Sequence, residues 1–173
     1  PQQLTTHPTP SPPRSIPQLL YRIHRPTSQT RYSFATGFIS KNQSTILSIS
    51  TSVSRFGLAH LHQQTNISSP FISVYDDLAH AESVAGWMAR MGGGEVVVVC
   101  VDSRYLGPGP VFRAEDLLRG EAGGGGGGGE WLHRGEYLVM YRIPVQAVRD
   151  QRVVARGEGE GWRAVGVVGK VES

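Results

Sequence analysis

A chain of 173 residues, 39% of them hydrophobic, is long enough to bury the core of one domain. Its 17 basic and 14 acidic residues are scattered along the chain and leave a net charge of +3, which argues against a nucleic-acid-binding stripe and against a membrane-binding patch. No apolar run is long enough to span a bilayer, and the first residues lack the pattern of a signal peptide, so the sequence favours an intracellular protein while leaving its localisation open.

The N-terminal part of the sequence predicts a leader, a strand and a helix. Residues 1–17 combine repeated prolines with Thr, Ser and Gln, a composition that cannot bury enough apolar surface to order itself. We therefore predict a disordered leader there and a single domain over residues 18–173. Leu19–His24 has the apolar pattern of a strand, and Gly37–Ile39 predicts a turn with a short extended piece. Apolar residues recur near helical spacing over 44–64, which predicts a helix.

The middle of the chain predicts a strand, a helix and an interior strand. Phe71–Tyr75 is rich in residues that favour strands. Either Asp76 or Asp77 can cap a helix predicted over 77–91, because apolar residues recur on one of its faces. Glu95–Asp102 is an almost continuous β-branched run, which is typical of a strand covered on both faces.

The C-terminal third contains a segment of unusual composition. Val111–Arg113 and Ala114–Arg119 predict a short strand and a helical turn. Seven consecutive glycines then predict a flexible, glycine-rich surface loop at 120–130, because glycine has no side chain to pack. Glu136–Ile143 resumes as a strand. Beyond it the pattern predicts one helical turn over Pro144–Val148 and a final hairpin of Gln151–Ala155 with Trp162–Val168.

Three residues on apolar, strand-like runs are the candidate site. Arg22 lies within such a run, where an unpaired guanidinium is costly to bury, so it needs an anion or lines a cleft. Ser73 can brace a pocket wall, and Glu136 opens a strand directly after the flexible loop, where a carboxylate can meet a substrate. An arginine that holds a pyrophosphate and a glutamate that stabilises a ribosyl cation are the groups needed to cleave NAD at its nicotinamide bond.

The other reactive side chains have simpler interpretations. His24 shares a strand face with Arg22 by the period of two, so it can contact the same ligand, although a histidine that is solvated or hydrogen-bonded in the core is the commoner case. His60 and His62 point in different directions on a helix and lack a ligand partner at suitable spacing, so we predict no metal site. The single cysteine, Cys100, follows a valine run that should bury its sulfur and raise its pKa, which indicates a structural role.

The ordered motifs around these residues resemble a known superfamily. Tyr21-Arg22, then Phe71-Ile72-Ser73 before an Asp/Leu/Ala helix, then the Glu136–Pro144 strand are similar to the arginine, serine, glutamate class of ADP-ribosyltransferases, which is related to cholera-type toxins. The chain also resembles an uncharacterised fungal domain family over about residues 18–156, through Leu20–His24, Ser69–Tyr75 and Glu136–Val139.

The resemblance implies an α+β, ADP-ribosyltransferase-like fold with two small facing β-sheets, a cleft between them, and flanking helices at 44–64 and 77–91. It implies NAD as substrate, no metal, and an unknown protein as acceptor. The catalytic residues would be Glu136, which stabilises the ribosyl cation, and Ser73, which holds the wall beside the nicotinamide ribose. Arg22 would anchor the NAD phosphate, Tyr75 would stack on the nicotinamide, and His24 would assist.

Two departures from the superfamily pattern leave alternatives open. Ser73 is followed by Val74 and Tyr75 instead of a Thr-Ser pair, and Arg134 stands where arginine-modifying members carry Glu or Gln. These differences are compatible with transfer to another acceptor, with NAD hydrolysis, or with a catalytically inactive protein-interaction or ligand-binding module. An RNA-phosphate-processing relative would use Arg22, Arg31 and His24, but the modest charge argues against it.

Overall fold

The computed structural model describes residues 14–47, 50–92, 94–119, 129–156 and 162–167. Its strands are β1 (Leu19–His24), β2 (Arg31–Ser33), β3 (Gly37–Ile39), β4 (Phe71–Tyr75), β5 (Val96–Asp102), β6 (Val111–Arg113), β7 (Glu136–Met140), β8 (Arg142–Ile143), β9 (Val148–Arg156) and β10 (Trp162–Val167). Its α-helices are α1 (Ser50–Leu61), α2 (Leu78–Gly92), α3 (Ala114–Arg119) and α4 (Gly129–Leu132), with short 3₁₀ turns at Ser103–Tyr105 and Val145–Ala147.

Two antiparallel sheets form the framework. The larger sheet has seven strands in the order β10-β9-β5-β1-β4-β7-β6, and the smaller has three in the order β2-β3-β8. The predicted mixture of helices with two sheets is confirmed, but only one of the sheets is small, since the final hairpin brings the other to seven strands by adding β9 and β10 beside β5. The valine-rich strand β5 is covered on both faces, as its composition predicts, because Val99 and Val101 pack in one core cluster and Val96 and Val98 pack in another.

Apolar side chains fill the interface between the two sheets. Leu20, Ile72 and Val99 come from the larger sheet and pack in one cluster with Phe38 and Ile143 from the smaller sheet, all of them at most 1% exposed. Their burial removes apolar surface from water and fixes one sheet on the other. The interface is therefore packed, and the cleft described below opens instead at the junction of β1 and β4.

Helix α2 covers the opposite face of the larger sheet. It begins after Asp77, whose Oδ1 accepts a hydrogen bond of 2.6 Å from the backbone N–H of His80. This N-cap satisfies one of the donors that a helix start leaves unpaired, and it confirms the predicted helix and its cap. The buried face of α2 packs on the sheet through small and β-branched side chains, namely Ala81, Val84, Ala85 and Ala89.

Helix α1 is shorter than the predicted range 44–64. Before it, the side chain of Asn42 accepts a hydrogen bond of 3.0 Å from the backbone N–H of Thr45, so a local turn competes with the helix. Ile46, an apolar residue within the predicted range, is 83% exposed. Gln63 adopts a positive φ of 51° just after the helix, a conformation that ends it.

Some of the predicted segments extend beyond the residues that the structure describes. Residues 1–13 of the predicted leader and 120–128 of the predicted glycine-rich loop lie outside them. The last two positions of that loop, Gly129 and Glu130, belong to α4, which the sequence did not predict. Strand β2 was also not predicted, because Arg31-Tyr32-Ser33 has polar residues on both sides of its single aromatic side chain. Among the helices described, none has the length and apolarity required to cross a membrane.

Gly37 lies where β3 closely approaches the end of β8 within the smaller sheet. Its φ is +75°, and a Cβ there would lie 2.2 Å from the carbonyl oxygen of Ile143. We expect Gly37→Ala to lower the free energy of unfolding by about 2 kcal/mol or more, because it adds backbone strain and a clash with a paired strand. Gly107→Ala is the matched control, since a Cβ there meets no heavy atom within 4 Å. Urea denaturation measures both, and equal midpoints would contradict this account.

Candidate active site

The candidate active site is a cleft where β1 and β4 separate. The register of these two strands records one pair, Tyr21 with Tyr75, and the space beyond that pair forms a cavity of about 260 Å³. Strands β1, β4 and β7, helix α1 and the segment that follows β1 all contribute to its wall. The side chains with reactive groups that line this cleft include Arg22, Arg25, Lys41, His60, Ser69, Ser73, Tyr75, His133 and Glu136.

Arg22 supplies a buried positive charge to the cleft. The residue is 7% exposed, and its Nη1 donates a hydrogen bond of 3.0 Å to the backbone carbonyl of Ser73. Burial lowers the pKa of Arg22 to about 10, while nearby Tyr75 and Glu136 favour the charged form, so the guanidinium stays protonated at neutral pH. Its Nε has no hydrogen-bond partner among the described residues. A buried donor without a partner is costly, so this guanidinium is suited to an anionic ligand.

His60 links two serines in the wall of the cleft. Its Nε2 lies 2.8 Å from the Oγ of Ser73, and its Nδ1 lies 2.7 Å from the Oγ of Ser69. The Ser69 Oγ also accepts a hydrogen bond of 3.0 Å from the backbone N–H of Phe71 at the start of β4. Burial lowers the pKa of His60 to about 4, and the Arg22 charge lowers it further against the opposing effect of Glu136. The ring is therefore neutral at pH 7 and holds the Ser73 hydroxyl in one place.

Glu136 is a buried carboxylate at the first position of β7. It is 4% exposed, and its Oε2 lies 2.5 Å from Nδ1 of His133, across the turn that precedes the strand. The backbone register places Glu136 opposite Tyr75 on β4. Side chains at paired positions of neighbouring strands lie on the same face, so the carboxylate faces the same side as Tyr75 and Ser73.

Gly135 shapes the turn before Glu136. Its φ is +64°, and a Cβ on it would lie 2.1 Å from the Oδ1 of Asp76. Its carbonyl accepts a hydrogen bond of 2.9 Å from the backbone N–H of Asp76, just beyond β4. The turn is thereby attached to the end of the neighbouring strand, which fixes the position of the carboxylate.

Not all of the predicted site residues line the cleft. Arg22, Ser73, Tyr75 and Glu136 line the same cleft, as the ordered motifs predict. Tyr75 is 4% exposed, and burial raises the pKa of its hydroxyl, so it is protonated at neutral pH. His24 is absent from the cleft wall and instead packs against rings of the smaller sheet, with centroids 5.4 Å from Phe38 and 6.3 Å from Tyr32.

Cleft residues that were not among the sequence candidates include His60, Ser69 and His133. His60 was considered only with His62 as a metal pair, and its contacts with Ser69 and Ser73 depend on how α1 packs against β4, which no sequence spacing reveals. His133 carries a weak local signal, because it stands three residues before Glu136 at a glycine turn. The roles of His60 and Ser69 could therefore be found only from the structure, whereas His133 could have been proposed from the turn.

Comparisons with known proteins place the chain by sequence and by fold. Residues 15–156 match the model of a protein family described as Domain of unknown function (DUF7587). The structure is similar to a solved chain named EcPltA, with a TM-score of 0.60 and 13% sequence identity, over 87% of this chain and 84% of that one. At this identity the likeness shows a shared fold. No curated protein matches the sequence.

The half-buried His60 should make the stability of the protein depend on pH. Its folded-state pKa of about 4 lies below the ordinary histidine value of 6.5, so the unfolded chain binds more protons between these values and stability falls as the pH drops through that window. We expect His60→Gln to reduce the difference in free energy of unfolding between pH 7 and pH 5 by about 2 kcal/mol. His24, whose pKa is also lowered to about 4, titrates in both proteins and cancels in the comparison.

Urea denaturation of the parent and of His60→Gln at both pH values measures this effect. The readout is the change in free energy of unfolding between pH 7 and pH 5 in the parent, minus the same change in the variant. This subtraction removes the effect of the two hydrogen bonds that the variant loses at every pH. The same pH dependence in both proteins would show that the His60 ring does not titrate abnormally.

Proposed function

The chain belongs to the DUF7587 family, and from the cleft we propose that it has an ADP-ribosyltransferase-like fold and cleaves NAD at the nicotinamide–ribose bond. The ADP-ribosyl group would pass to a protein acceptor or to water. The single observation that carries the proposal is the pairing of a buried, incompletely hydrogen-bonded Arg22 with a buried Glu136 in one cleft. Their order along the chain, with Ser73 between them, is also the order of the motifs that resemble that superfamily.

The positive side of the cleft suits the pyrophosphate of NAD. Arg22 would donate to a phosphate oxygen, because its fork of N–H groups matches phosphate geometry. Arg25 and Lys41 also line the cleft and add two further cations near the same ligand. An anion in this position would satisfy the free Nε of Arg22 and offset the cost of burying its charge.

The carboxylate of Glu136 would act at the bond that breaks. When the C1′–nitrogen bond of the nicotinamide ribose breaks, its electron pair leaves with the nicotinamide and positive charge develops on the ribose. A buried anion held in advance stabilises that charge more than it stabilises the ground state, and this difference accelerates the reaction. The carboxylate can also accept a hydrogen bond from a ribose hydroxyl.

Ser73 and Tyr75 would shape the pocket for nicotinamide. His60 holds the Ser73 hydroxyl at the wall beside the ribose, and Tyr75 offers a ring face on the same strand two residues later. His24 lies outside the cleft wall, so the assisting role expected for it from the strand period has no geometric support.

The acceptor is expected to be something other than an arginine side chain. Arg134, two residues before Glu136, is exposed and does not line the cleft, and it stands where arginine-modifying members of the superfamily carry Glu or Gln. The same residue favours a second candidate function, a module that binds NAD without turnover. Nicotinamide release separates the two functions, because binding alone leaves the glycosidic bond intact.

The first test replaces the carboxylate. We expect purified parent protein to release nicotinamide from NAD, and Glu136→Gln to lower this rate by about 10² to 10³-fold with NAD affinity kept, because the lost charge acts mainly in the transition state. Glu130→Gln, an exposed glutamate on α4, is the matched control and should keep the parental rate. NAD binding by the parent without release would favour the inactive module, and absence of both would overturn the proposal.

The second test addresses the anion site. We expect Arg22→Lys to raise the Kd for NAD by about tenfold or more, because an ammonium cannot reproduce the forked donors of a guanidinium. Arg55→Lys, an exposed arginine on α1, should leave the Kd unchanged. Calorimetric titration with NAD measures both, beside a thermal melt that verifies folding. Equal affinities in the two variants would exclude Arg22 as the phosphate anchor.

A further inference from the structure

We propose that His133 is the general base that removes a proton from the acceptor as the acceptor attacks the ribose. This inference rests on the proposed function, since it assigns a further residue of the same cleft to the same reaction. Its starting observation is the hydrogen bond of 2.5 Å between Nδ1 of His133 and Oε2 of Glu136, in a cleft that both side chains line.

The hydrogen bond with Glu136 sets the tautomer of His133. A carboxylate only accepts hydrogen bonds, so Nδ1 is the nitrogen that carries the proton and the lone pair of the neutral ring lies on Nε2. A buried carboxylate behind a histidine also stabilises the imidazolium that forms when Nε2 takes a proton. The His133 side chain is 15% exposed against 3% for Glu136, so the histidine lies on the more accessible side of the pair.

The other candidate bases in the described part of the cleft are less suitable. Both ring nitrogens of His60 are engaged by Ser69 and Ser73. The phenol of Tyr75 is protonated, because burial raises its pKa. Glu136 itself is the group proposed to stabilise the ribosyl cation, and the remaining ionisable residues of this wall are the cations Arg22, Arg25 and Lys41.

The proposed step exchanges one bond at C1′ of the ribose and moves one proton. The acceptor oxygen forms a bond to C1′ of the nicotinamide ribose, while the C1′–nitrogen bond breaks and its electron pair leaves with neutral nicotinamide. The proton of the acceptor hydroxyl passes to Nε2 of His133 and then to solvent. With water as acceptor the products are ADP-ribose and nicotinamide. A neutral hydroxyl acceptor, from water or a side chain, is the class that needs such a base.

His133→Asn separates this role from a structural one. The asparagine amide can occupy the position of Nδ1 and donate to Glu136, but it offers no base in place of Nε2. We expect His133→Asn to lower nicotinamide release by about 10²-fold with the Kd for NAD unchanged. His62→Asn is the matched control, because His62 is exposed and lies outside the cleft wall, and it should keep the parental rate.

Sodium azide supplies the decisive measurement. Azide is already an anion and forms its bond to C1′ without losing a proton, so it should restore nicotinamide release in His133→Asn and yield azido-ADP-ribose, detected by mass spectrometry. Glu136→Gln should not be restored, because azide replaces the nucleophile and not the stabilising charge. If His133→Asn does not fold, His133→Gln takes its place in the same assay.

The base assignment and the proposed function are overturned by different outcomes. A parental rate in a folded His133→Asn, or a slow variant that azide does not restore, would overturn the base assignment and leave the NAD-cleaving function in place. A parent protein that releases no nicotinamide, with or without azide, would overturn the proposed function itself.

Discussion

A buried guanidinium at the place where two strands part is the constraint on which the site depends. Arg22 lies on β1 opposite a stretch of β4 that it does not pair with, and its Nη1 donates to the Ser73 carbonyl instead. Removing this charge from water is costly unless hydrogen bonds and nearby anions compensate, and the described residues supply part of that compensation through the carbonyl and through Glu136. The cleft therefore retains a buried positive charge that is only partly compensated. This charge makes the cleft favour anionic ligands.

The strands and the ordered trio could be predicted from sequence because each is encoded locally. Alternating and continuous apolar runs specify β1, β4, β5 and β7. A polar residue within such a run can be recognised as a candidate site residue. Contacts between distant elements could not be predicted. His60 meets Ser73 only because α1 packs beside β4, and His24 leaves the site because the smaller sheet offers Tyr32 and Phe38 to its ring. A period of two predicts which face of a strand a side chain occupies, but not which element packs on that face. The predicted start of α1 failed for a local reason, since the side chain of Asn42 forms a turn there.

The turn between α4 and β7 determines how Glu136 is presented. Gly135 takes a left-handed conformation that brings its carbonyl to the backbone of Asp76, beyond the end of β4. The same turn folds His133 back onto the carboxylate it precedes. Two reactive side chains are therefore fixed against a neighbouring strand by backbone hydrogen bonds, which places them more precisely than a free loop could.

Charge in the cleft also bears on which part of NAD would be retained after cleavage. Among the described lining residues, Arg22, Arg25 and Lys41 are cationic and Glu136 is anionic, so these side chains together carry an excess of positive charge. In the proposed reaction, intact NAD and the ribosyl cation each carry one positive charge beside the pyrophosphate, whereas the product carries none once the acceptor has added and lost its proton. Coulomb attraction between the wall and the ADP-ribosyl group would therefore increase only after that addition. A wall of this charge would let neutral nicotinamide leave and would hold the ADP-ribosyl group through its pyrophosphate.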